Sequence, residues 1–134
     1  MTAKDDWAKA ERAAEHWLRY CGCVAIRRAV RTRFQKIDFF GCDIMGRSKT
    51  GATAWVQVTC GESADVAHRR RKLEALPWLK NDNVLILQMK SEQLGRTIAY
   101  RFRIHEYRCG KWDVWEVDEP IPREWFKAWK EKSP

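Results

Sequence analysis

The sequence predicts an α/β (α+β) protein, a mixed central sheet flanked by helices in a single domain. Three observations lead there. Apolar residues return every three or four positions in 4–20 and share one side of 122–132, while 63–76 is bounded by a capping Ser63 and by Pro77, and these are helix signals. Between these stretches lie short segments that alternate, or are apolar throughout, and are separated by Gly-containing turns, as strands are. The order of the segments is helix, three strands, helix, strands, a pattern that packs as a sheet with helices on it.

Each element has a local reason. In the first helix Trp7, Ala10, Ala14, Trp17 and Leu18 form one stripe. Asp5 and Asp6 suit its N-terminal end, and Gly22 lies past its stop. Cys23–Arg31 alternates weakly and reads as a strand. Asp38–Met45 is a second, rich in aromatic and β-branched residues, with a bulge or close backbone approach expected at Gly41. Arg47–Thr53, with Gly46 and Gly51, is the turn into the clearest strand, Ala54–Cys60. There Trp55, Gln57 and Thr59 share one face and Val56 and Val58 the other. Ser63–Leu76 follows as a helix with Ser63 as N-cap, Asp65 in its first turn and Pro77 closing it. Asn83–Met89 reads as a strand buried on both faces. Thr97–Tyr107 alternates and turns through Cys109–Lys111 into Trp112–Val117. Pro122–Lys132 is a short helix with Trp125, Phe126 and Trp129 on its apolar side. No repeat, low-complexity stretch or linker interrupts residues 1–134.

Composition sets the bounds. A chain of 134 residues, 45% hydrophobic and with eight tryptophans, has the material for one core and is not a disordered chain. No apolar run approaches the roughly 20 residues that span a bilayer. Charged residues stand where a signal peptide would be apolar. A membrane or secreted protein is therefore not expected, and a cytoplasmic one, in a bacterium or a phage-infected host, is. The five cysteines, Cys21, Cys23, Cys42, Cys60 and Cys109, are an odd number without framework spacing, which predicts reduced and mostly buried thiols. A metal site from Cys21, Cys23, Cys60 and His68 has suitable residue types, but no spacing asks for it. None of the three histidines has a partner at triad or zinc spacing.

The net charge of +8 is concentrated in the middle of the chain. Residues 21–50 carry +5, from Arg27, Arg28, Arg31, Arg33, Lys36, Arg47 and Lys49 against Asp38 and Asp43, and both chain ends are neutral or slightly acidic. Arginine outnumbers lysine there, and its planar fork pairs two phosphate oxygens at once. A polyanionic partner such as nucleic acid is the inference; a merely solvated basic surface is the alternative.

One constellation carries chemistry. Asp43 lies near the end of one strand, and Gln57 and Thr59 lie side by side on the next. If the two strands are antiparallel neighbours, Asp43 approaches that face. Oxygen ligands from adjacent strands, with a helix carboxylate, can hold a hard divalent cation for phosphodiester hydrolysis. The stretches Ile37-Asp38-Phe39-Phe40-Gly41-Cys42-Asp43-Ile44 and Trp55-Val56-Gln57-Val58-Thr59 resemble the PD-(D/E)xK nuclease fold. With Arg69-Arg70-Arg71-Lys72 they also resemble small phage and bacterial proteins described as Holliday-junction-resolvase-like. The likeness covers about residues 5–90, with the hairpin and helix of 97–132 outside it.

The resemblance implies a restriction-endonuclease-like sheet and a structure-specific DNA endonuclease of the junction-resolving kind. It also implies Mg²⁺ or Mn²⁺, one per site, and a homodimer. Asp43, Gln57, the Val58 carbonyl and Glu15 (or Glu11) would be the ligands, and Asp38 would support them from behind. The family has a carboxylate and a lysine where this chain has Gln57 and Thr59. Some members supply the lysine from the following helix, where Lys72 and, second, Arg69 stand. Arg31, Arg33, Lys36, Arg47, Lys49, Arg69, Arg70 and Arg71 would meet DNA, branched or duplex, or RNA.

Each residue has a plainer reading too. Asp43 can cap a loop amide or Arg47, Gln57 and Thr59 can be the polar side of a strand, and Glu15 can pair with Arg19 at i, i+4. The arginine run can be a solvated helix face. Trp7, Trp17, Trp55 and Trp129 suit a core. Trp112 and Trp115 fall on opposite faces of the hairpin, so one of them is free to be exposed and stack on bases. The alternatives to a nuclease are a nuclease-fold protein that binds DNA or RNA without cutting it, and an adaptor whose charge is incidental.

Overall fold

The computed structural model of the chain describes residues 3–31, 36–37, 40–61 and 65–126. Its elements are α1 (Ala3–Tyr20), β1 (Cys23–Arg28), β2 (Val30–Arg31), β3 (Lys36–Ile37), β4 (Ile44–Ser48), β5 (Thr53–Cys60), α2 (Val66–Glu74), β6 (Asp82–Leu94), β7 (Thr97–Arg108) and β8 (Lys111–Glu116). Six strands form one mixed sheet in the order β1-β4-β5-β6-β7-β8, and β2 and β3 pair in a separate two-stranded ribbon. Every neighbouring pair in the large sheet is antiparallel except β5 and β6. That parallel pair needs a crossover, and α2 supplies it.

The two-residue period of the strands sends alternate side chains to opposite helices. Ala54, Val56 and Val58 of β5, with Leu85, Leu87, Met89, Phe102 and Ile104 from its neighbours, pack with Ala10, Ala13, Ala14 and Leu18 of α1. Three alanines let the helix lie close over the sheet. On the opposite face Leu73 of α2 packs with Cys42, Val84 and Ile86, flanked by Trp55, Val66, Leu76, Trp78, Tyr107 and Trp112.

Several boundaries differ from the sequence prediction for local reasons. The first predicted strand divides, with β1 ending at Arg28 and Val30–Arg31 turning into the ribbon. The predicted strand over 38–45 does not run through: Phe40 (φ 53) and Gly41 (φ 80) both take left-handed conformations, and β4 starts only at Ile44. The N-cap of α2 is Asp65, whose carboxylate accepts from the His68 amide at 3.2 Å; Ser63 lies outside the described residues. β6 extends five residues past the predicted Met89, carried by backbone pairing to β7 up to Leu94 opposite Thr97. Cys109 (φ 51) and Gly110 (φ 79) make the two-residue turn into β8. The last helix is described over 123–126, and Trp129 lies beyond the described residues. Of the five thiols only Cys42 is buried. Cys21 and Cys109 are exposed, against expectation. No helix among the described residues is long and apolar enough to cross a membrane.

Candidate functional site

The left-handed pair at Phe40 and Gly41 turns the chain so that Asp43 enters beside β5. Asp43 is locked by its backbone between two neighbours: its N–H donates to the Val56 carbonyl at 2.8 Å, and its carbonyl accepts from the Ala29 amide at 2.7 Å. Its carboxylate is buried and Oδ2 accepts from the Val58 amide at 2.9 Å. A carboxylate out of water requires such donors. Asp43 therefore reaches the β5 backbone at Val58, between Gln57 and Thr59.

Gln57, also buried, is held at both ends. Its Nε2 donates to the Gly41 carbonyl at 3.0 Å, and its Oε1 accepts from Arg69 Nη1 at 3.1 Å. A carbonyl can only accept and a guanidinium can only donate, so the two partners fix the amide orientation. Arg69 in turn lies over the Trp7 ring, 5.8 Å from its centroid. Thr59 is buried two residues along, next to a cleft lined by Trp7, Gly61, Met89 and Tyr100.

A second polar chain runs beside the first, one that no motif in the sequence announced. Arg70 Nη2 donates to His105 Nδ1 at 2.8 Å. A guanidinium only donates, so His105 carries its proton on Nε2 and donates to Gln88 Oε1 at 3.0 Å. Gln88 Nε2 donates to the Gly61 carbonyl at 2.7 Å. Burial, then the charges of Arg70 and Arg103, push the His105 pKa down to about 4, so the ring is neutral at pH 7. The signal was present in part: Gln88 interrupts an otherwise apolar buried strand, and a buried amide needs partners. The Arg70 guanidinium also lies 5.0 Å from the Trp112 ring centroid, and Trp112 Nε1 donates to Glu74 at 2.6 Å.

The other predicted residues are placed as follows. Lys72 is exposed; α2 turns Arg69, Arg70 and Leu73 toward the sheet, and Lys72 falls on its outer side. Of the two candidates for the displaced lysine, Arg69 is the one at Gln57. Glu15 binds Arg28 Nε at 2.8 Å and Arg19 Nη2 at 3.4 Å, so the pairing with Arg19 occurs and a second arginine joins it. Arg47, Lys49 and Arg71 are exposed. Arg31 and Lys36 are paired across the β2–β3 ribbon, and Arg33 and Asp38 lie outside the described residues. Trp112 is half-buried, and Trp115 is 42% exposed on the other face.

As placed, the candidate cation ligands are engaged by protein donors. The Gln57 oxygen already receives a guanidinium, both Glu15 oxygens receive guanidinium groups, and Asp43 Oδ2 receives an amide. Bringing a dication to Gln57 would set it against the positive charge of Arg69. Among the described residues, no three His, Cys, Asp or Glu side chains are grouped to hold a metal. What the arrangement holds instead is two guanidinium groups fixed by hydrogen bonds beside the exposed Arg71 and Lys72 of α2. No protein-family model, curated protein or solved structure matches the chain.

Proposed function

We propose that this protein binds nucleic acid through its basic surface without hydrolysing it, as a PD-(D/E)xK-like core in which arginines stand where cation ligands would work. The observation that carries this reading is the Arg69 guanidinium on Gln57 Oε1. The exposed Arg47, Lys49, Arg71 and Lys72 extend the same charge over the surface. Phosphates supply most of the affinity in such binding. The order of three antiparallel strands, a helical crossover and a parallel strand supports a restriction-endonuclease-like class.

A second reading, a Mg²⁺- or Mn²⁺-dependent endonuclease of the junction-resolving kind, draws on one observation. The Asp43 carboxylate accepts from the Val58 amide, next to Gln57 on β5. A homodimer goes with either reading, and Val114 and Trp115 on the edge strand β8, 49% and 42% exposed, offer it apolar surface. A bacterial or phage-infected cytoplasm suits both.

Fluorescence anisotropy with labelled linear duplex, four-way junction and RNA, titrated against salt with and without Mn²⁺, tests the proposal, with a gel of the same samples. The expected result is affinity that falls log-linearly with salt and nucleic acid that stays intact. Cleavage that disappears in Asp43→Asn would establish the second reading instead. Affinity independent of salt would defeat both.

A further inference from the structure

Beyond the Gln57 junction, on the same face of β5, the chain forms an apolar groove of about 780 Å³, the size of a small-molecule site. Its walls are Phe40, Trp55 and Trp78, whose ring centroids lie 5.4, 5.8 and 6.5 Å apart in a triangle. Both indole N–H groups are tied down: Trp55 Nε1 donates to Oδ1 of Asp82, which also lines the groove, at 2.9 Å, and Trp78 Nε1 to the Leu73 carbonyl at 2.7 Å. The indoles therefore stand rigid. The second Asp82 oxygen accepts from the Leu79 amide at 2.7 Å. Arg47 and Lys80 line the same groove, and both are exposed.

The left-handed turn at Phe40 and Gly41 that brings Asp43 to β5 also sets out the Phe40 ring. A bulky residue at φ 53 is strained, and core burial does not account for it, because 64% of the residue is exposed. The ring that the turn leaves exposed lines the groove against Trp55 and Trp78. Rigid aromatic surface with cations at its edge is what an unstacked base and its phosphates require. A hydrocarbon ligand would have no use for the cations, and an acidic peptide none for three rings.

We infer that this groove takes an unpaired nucleobase, with Arg47 and Lys80 meeting the phosphates on either side of it. The inference rests on the nucleic-acid reading above and narrows it to single-stranded or extruded bases. Phe40→Gly is the discriminating variant, since glycine accepts φ 53 and only the ring is lost. In anisotropy titrations of the full chain with a short oligothymidylate, Phe40→Gly should weaken binding about 5- to 150-fold, the worth of one stacked base. Perfect duplex should bind as before. Wild-type tryptophan fluorescence should be quenched by thymidine monophosphate and left unchanged by ribose phosphate. Equal oligothymidylate affinity in wild type and Phe40→Gly, with salt-dependent duplex binding intact, overturns the groove and leaves the parent reading standing. Loss of all nucleic-acid binding in the wild type overturns both. A change in sedimentation of Phe40→Gly, without a change in affinity, assigns the groove to a second copy of the chain and likewise overturns the inference.

Discussion

Under α1, Ala10, Ala13, Ala14 and Leu18 meet a sheet face of Ile44, Val56, Val58, Leu87, Phe102 and Ile104, all buried and all hydrocarbon. Under α2, on the other side of the same strands, the one buried helix residue, Leu73, packs with a smaller cluster of Cys42, Val84 and Ile86, flanked mostly by aromatic rings. Around it are Gln57, Gln88, His105, Arg69 and Arg70 joined by hydrogen bonds. One face holds the fold by area removed from water, which is insensitive to direction. The other depends on donors and acceptors that must stay paired, because each buried group left alone costs free energy. A protein keeps such a face where it has use for it, and the candidate site and the aromatic groove both lie on it.

The largest effect that would break this comparison is on the hydrocarbon side. Phe102, 1% exposed under α1, should cost about 3–5 kcal/mol as Phe102→Ala, read as a shift of the urea midpoint at unchanged slope. Leu73→Ala should fall near the low end of the range for its type, about 2 kcal/mol, because a nine-residue helix can settle into the space. Equal costs for the two would mean that the faces do not differ as described.

The same division explains what the sequence made legible. The α1 stripe and the alternation of β5 are periodic signals, and they put Ala10, Ala14, Leu18, Val56 and Val58 in the core and Gln57 and Thr59 on the far side. The meeting of Asp43 with β5 was also readable, since a short turn between strands makes them antiparallel neighbours. The polar network was not. His105 and Arg70 are 35 residues apart and belong to no shared pattern; only the assembled sheet sets Ile86, opposite His105, beside Gln57. Lys72, taken from the resemblance, lies exposed on α2, whose order alone does not say which residue packs. The phase of the helix is set by Leu73, the residue that packs, and this carries Arg69 and Arg70 inward instead. Phe40 escaped notice because a left-handed phenylalanine leaves no trace in composition.

A second effect, of up to about 3 kcal/mol, sharpens the polar side. His105 has its pKa pushed from 6.5 down to about 4 in the folded protein. Between these values the unfolded chain holds the proton and the folded chain does not. Stability from this group is therefore complete above pH 6.5, falls as pH drops toward 4, and levels off below. His105→Gln keeps one acceptor for Arg70 and one donor for Gln88 while removing the titration. Urea midpoints measured from pH 7 to pH 4 should fall less steeply in His105→Gln than in the wild type. Parallel pH profiles would show that the buried imidazole is not what makes this face acid-sensitive.

The smallest effect concerns Lys72, which separates the two functional readings most cheaply. It is exposed on the outer side of α2, so Lys72→Ala should leave the urea midpoint within about 0.5 kcal/mol of wild type. A lysine that only meets phosphate contributes one released counterion, and the log–log salt slope for duplex binding should then become shallower by about 0.9, with no preference lost among sequences. A lysine that moves in to act at Gln57 would behave differently: affinity and slope would stay close to wild type while Mn²⁺-dependent cleavage vanished. Arg69 already holds the Gln57 oxygen at 3.1 Å, so Lys72 could reach that point only by displacing a guanidinium from its hydrogen bond and from the Trp7 ring. The shallower slope is accordingly the outcome expected if the proposed binding holds.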